Sequence, residues 1–198
     1  MKPMPPANTK PDAPPPSAPK PKALAPEAKQ QVAAYLGVLR PSLRELASAL
    51  ILVAERHERN YEIWGTATVL AGWIHEDDTS LDPFVERYGI HESDQPHKIR
   101  AALLGGVRGG LHGLLADLTD LSVLAEQVEM AWDVVYQGAK ELQDEGLLEA
   151  TGPARGHAER AIRWIRTQVH HTAPEALAVV ADTSGSIAAS LPKGPDRI

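Results

Sequence analysis

The amino-acid sequence predicts an all-α fold: a four-helix bundle with one long crossover connection and flexible termini. Three observations carry this. Apolar residues recur at i, i+3, i+4 and i+7 through most of residues 27–182, the period of a helix buried on one face. No segment alternates apolar and polar side chains as a half-buried strand would. The connections between the four main helical segments run short, long, short, the order that a bundle with a single crossover requires.

Residues 1–26 are dominated by Pro, Ala and Lys. Proline fixes φ and removes a donor, so this stretch is expected to be a disordered tail leaning to polyproline II, either a solvated spacer or a docking arm. A short helix is expected over 27–39, with Val32, Tyr35, Leu36 and Leu39 on one face. Pro41 suits the first turn of the next helix, about 42–59, whose stripe is Leu43, Leu46, Ala47, Leu50, Val53, Ala54 and His57. Asn60 suits the cap of a second main helix to about 78, with Ile63, Trp64, Ala67, Leu70, Trp73 and Ile74 facing inward. It closes on His75-Glu76-Asp77-Asp78, expected to be a hydrated end.

Pro83 opens a short helix with Asp82 as its cap, and Gly89 ends it. Residues 90–110 form a long connection, with a helical turn or two over 97–104 and then GGVRGG, a flexible crossover. The longest pattern, 111–148, places Leu114, Leu118, Leu121, Ala125, Val128, Trp132, Val135, Ala139 and Leu142 alternately four and three apart, close to a heptad seam. A break is expected at Thr151–Ala154. A last helix over 155–172 then buries Ala158, Ala161, Ile162, Ile165 and Val169, and Pro174 stops it. Residues 183–198 are expected to be a second flexible tail.

Composition narrows the function classes. The net charge of −6 disfavours a nucleic-acid binder. The absence of Cys excludes disulfides, thiolate metal sites and a Cys nucleophile, and fits a cytoplasmic protein. No apolar run is long enough to cross a bilayer, so no membrane partner is expected.

The segments LLADLTDLSVLAEQVEMAWDVVYQGAKELQDEGLLEA (114–150) and ERAIRWIRTQVHHTAPEALAVV (159–180), with VLAGW (69–73) and PFVERYG (83–89), resemble an uncharacterised bacterial group of ferritin-like proteins. The resemblance spans about 42–180. It implies a ferritin-like four-helix bundle and no established activity.

A ferritin-like di-iron centre takes a Glu from each of two helices and a Glu-x-x-His from each of the other two. No Glu here has His three residues on. The nearest motifs are Glu55-x-x-Glu58, expected at a solvated helix end, and Glu126-x-x-Glu129, beside the seam. Glu126, Glu129, His57, His112, His157 and Glu159 are the candidate ligands of a nonstandard oxygen and nitrogen site suited to iron or manganese. Each is equally readable alone, the carboxylates as flanking surface groups and the histidines as boundary residues. GGVRGG lacks the Lys-Ser/Thr of a phosphate loop, and no Ser stands in a nucleophile elbow. The four Trp are expected to pack the bundle interior.

The leading expectation is a noncatalytic bundle acting in binding or assembly, with a stress-related role by analogy of fold. The alternative is a di-metal oxidase or storage protein. A protein partner docking through either tail and homo-oligomerisation complete the expectations.

Overall fold

A computed structural model describes residues 26–189, with side chains described for 27–178. The expected N-terminal tail, apart from Pro26, and residues 190–198 lie outside the described residues. The described chain is helical: α1 (Pro26–Arg56), α2 (Tyr61–Ser80), α3 (Asp82–Tyr88), α4 (Gln95–Leu103), α5 (Gly110–Leu142) and α6 (Glu145–Ala189).

Four long helices form the bundle. Packing joins α1 to α2, α1 to α5, α5 to α6 and α2 to α6. The directions follow from cross-links. Arg56 and His57, at the end of α1, meet Asp117 near the start of α5. Asp77, late in α2, meets His157 early in α6, while Glu62 at the start of α2 meets Gln168 farther along α6. Every packed pair is therefore antiparallel, and the order is up, down, down, up. α3 and α4 make the crossover, and both lie against α1.

Segment boundaries in α1 and α6 differ from the sequence expectation, because a continuous buried seam overrides local breakers. A single helix, α1, replaces the expected pair divided at Pro41. Val32, Leu36, Leu39, Leu43, Leu46, Leu50 and Val53 are spaced four and three apart straight through Pro41, and all are buried. That unbroken seam outweighs the lost hydrogen bond of an internal proline. Likewise α6 runs through Pro153 and Pro174. Its seam is Leu147, Thr151, Ala154, Ala158, Ala161, Ile165, Gln168 and Thr172, all buried. The helix also continues over 183–189, which the sequence had assigned to the tail.

The true break falls at Gln143 and Asp144. Gln143 is left-handed at φ 52°, and its N–H and that of Asp144 return to the carbonyls of Lys140 and Ala139. The Asp144 carboxylate then caps α6 by accepting from the Leu147 N–H at 3.1 Å. α3 forms as expected, closed by Gly89 at φ 64°, although Leu81 rather than Asp82 holds its cap position.

Pro41 has a second consequence. Without its N–H, the Gly37 carbonyl loses its helical donor, and the Ser93 N–H takes that place at 2.9 Å. A Cβ at residue 37 would sit 2.3 Å from the His91 carbonyl oxygen. Gly37 and Pro41 together make the notch into which the α3–α4 connection docks.

Candidate functional site

Three buried carboxylates organise the polar chemistry of the bundle, and none was among the sequence candidates. Asp77 and Asp78 close the buried face of α2 after Leu70 and Ile74; Asp117 follows Leu114 on α5. The expected hydrated end at His75–Asp78 is corrected: His75 and Glu76 are exposed, but both aspartates are buried. Their i+3 and i+4 offsets from core residues were the available signal.

Asp117 is fully buried near one end. It accepts from the Arg56 guanidinium at 2.9 Å and from Arg108 at 3.3 Å, and pairs with His57 Nε2 at 3.0 Å. Arg56 also donates to the carbonyls of Leu104 and Gly106, and Arg108 to that of Leu103. The GGVRGG segment is thereby strapped to α1 by Arg56 and to α5 by its own arginine, so Arg108 is spent on protein carboxylates and a carbonyl.

At the other end, adjacent carboxylates reach in two directions. Asp78 binds Arg40 at 3.0 Å and Arg44 at 2.9 Å on α1; Arg40, itself buried, also reaches Asp82. Asp77 faces α6, with Oδ1 2.9 Å from His157 Nδ1. Its other oxygen is buried without a hydrogen-bond partner. Burial pushes the Asp77 carboxyl above its ordinary range, against the opposing pull of His157. The His157 ring stacks on Trp73 at 5.3 Å between centroids, and Arg160 covers the same indole.

Asp77 and His157 have the geometry that orients an imidazole base. The hydroxyls of Ser80 and Thr151 donate to helix carbonyls. The arrangement ties α2 to α6.

The six metal candidates do not share one pocket. His57 sits with Asp117 and His157 with Asp77, at opposite ends of α2, roughly 24 Å apart by helical rise. His112 is exposed at the start of α5. Glu126 is exposed and paired with Arg166 at 3.0 Å. Only Glu129 and Glu159 come together, along an open α5–α6 groove with Arg163, Arg166 and His170. Among the described residues no three His, Asp or Glu side chains are grouped as a metal would require. Glu55 and Glu58 are exposed, as expected.

The tryptophans divide. Trp132 is fully buried; Trp73 and Trp164 are partly buried; Trp64, expected inward, is 49% exposed. No helix among the described residues is long and apolar enough to cross a membrane. Comparison with protein-family models, curated proteins and solved structures finds no match to this chain.

Proposed function

We propose that this protein is a noncatalytic, ferritin-like four-helix bundle of the cytoplasm that acts by binding and assembly. One observation carries the reading. The buried charges are turned inward as cross-links between helices, while large apolar side chains stand in solvent on α2: Tyr61 at 83% exposure, Trp64 at 49% and Val69 at 51%. Scattered apolar residues are ordinary on a protein surface, but three large ones spread along the solvent-exposed side of one helix suit a contact surface. The up-down-down-up layout supports the ferritin-like assignment, and the stress-related role rests on analogy of fold alone.

A second reading, a nonstandard iron or manganese site in an oxidase or storage protein, would have to draw on Glu129, Glu159 and His170, which line one groove without being grouped as a metal requires. Elemental analysis of the untagged full chain, purified without chelators, decides between them. A folded, metal-free protein whose melting temperature ignores added iron, manganese or zinc supports the binding reading. Near-stoichiometric metal, lost in Glu129→Gln or Glu159→Gln, overturns it in favour of the second.

A further inference from the structure

We propose that α2 is a self-association surface: two copies pair antiparallel through their α2 helices, each seating Trp64 in the other's α1–α2 groove. The inference rests on the binding and assembly reading and names its partner.

The face is set by spacing. Trp64, Thr68, Ala71 and His75 recur at i, i+4, i+7 and i+11, so they share one flank of α2. The last three line an open groove of about 630 Å³, whose other walls are small and aliphatic residues that include Ala47, Ser48 and Ile51, together with the charged residues Glu55 and Arg100. In an antiparallel pair whose two-fold axis passes near Thr68 and Val69, a flank meets the same flank of the other copy, run backwards. Trp64 of the second copy then arrives opposite Gly72 and His75, at the mouth of this groove. One copy supplies the indole and the other the hollow, and each does both, as an isologous contact requires. Tryptophan is among the residues enriched at the energetic anchors of protein interfaces, where it fills a desolvated pocket.

Charge selects the same surface. At net charge −6, copies repel over most approaches. From Ile63 to Ile74, α2 carries no charged side chain on any face, so a two-fold here sets no like charges opposite each other along that stretch. Antiparallel pairing also places each helix N-terminus beside the C-terminus of its mate, where the helix dipoles attract.

Area is sufficient. With aromatic side chains offering roughly 150–250 Å² each, Tyr61, Trp64, Val69 and Ile51 and the small residues between them provide on the order of 500 Å² per copy. Doubled across the two-fold, this reaches about 1,000 Å², where specific interfaces begin. Two glycines agree. A Cβ on Gly65 or Gly72 would meet no atom of the described residues, so nothing among them calls for glycine at either position, and glycine weakens a helix interior. The two-fold puts Gly65 of one copy opposite Gly72 of the other and lets the helices approach closely.

The test is sedimentation of the full chain over a concentration series, joined to cysteine cross-linking, since the native chain has no Cys. The expected result is a reversible dimer, with Thr68→Cys giving an oxidised covalent dimer and Val123→Cys, exposed on α5, giving none. Trp64→Arg and Val69→Asp should keep the helical circular dichroism and raise the dimer dissociation constant by about tenfold or more. A monomer at every concentration overturns the proposal. So does a dimer that cross-links through Val123→Cys and not Thr68→Cys, since that places the contact on α5. Neither result touches the binding reading, which falls only to the metal analysis above.

Discussion

Asp117 is the most deeply buried carboxylate among the described residues. A carboxylate with no solvent exposure survives because Arg56, Arg108 and His57 reach it from α1 and from the crossover. Removing one member of such a group strands the others in a place water reaches poorly, and loss of a buried partner costs about 3–5 kcal/mol. Asp117→Ala should lower unfolding free energy by that order in urea titration, and trypsin should then cut after Arg108, which the intact protein holds at its carboxylates. Unchanged stability would show that the cluster is incidental. The sequence did not disclose this residue because an isolated aspartate is normally a surface group, and its partners lie up to 61 positions away. Trp64 failed in the opposite direction. It lies next to core residue Ile63 and periodicity places it inward, yet it is half exposed.

At the scale of elements, the Gly37–Pro41 notch explains how a long crossover is fixed to a helix it merely passes. Proline withholds a donor, glycine withholds a side chain, and the backbone around His91 and Ser93 occupies both vacancies. Gly37→Ala drives a methyl group toward a carbonyl oxygen that cannot yield as a side chain could. It should cost about 1–3 kcal/mol, read as a lower urea midpoint with an unchanged slope. An increase in stability would refute the docking role. Helix existence and facing were legible from periodicity, but helix ends were not. Pro41 and Pro153 look like boundaries to any local rule, and only the continuous seams of α1 and α6 reveal that packing overrides them. Conversely, Gln143 and Asp144 carry no glycine or proline, so the real turn was silent. Its stability comes from Asp144, which also accepts from Arg87 and Tyr88 on α3.

For the whole molecule, pH dependence is the sum of opposing carboxylates. Burial raises the Asp144 carboxyl, but donation from Tyr88, Arg87 and the Leu147 N–H outweighs it and leaves the group below its ordinary range. Glu45 follows the same pattern, its burial outweighed by Arg100 and His97. Both contribute stability that is present above the unfolded carboxylate range, near pH 4, and lost as pH falls through their depressed folded values. Asp77 has the reverse sign: its raised folded value means that its contribution is full below pH about 4 and fades as pH rises through that value. Stability of the full chain should therefore fall on acidification below about pH 4. Asp144→Asn should flatten that limb, and Asp77→Asn should remove the opposing loss of stability as pH rises above about 4; urea titrations at stepped pH would read all three. An Asp144→Asn chain with the native acid limb would contradict the assignment.

Helix α1 is held at Arg40 and Arg44 by Asp78 on α2, and at Arg56 and His57 by Asp117 on α5. Moving it one turn along its axis, about 5.4 Å, would unseat charges at both ends in the same step. The molecule is thus keyed like a lock with two wards. It resists piston-like motion of α1 and keeps the faces that α1 shares with α2 and α5 in fixed register.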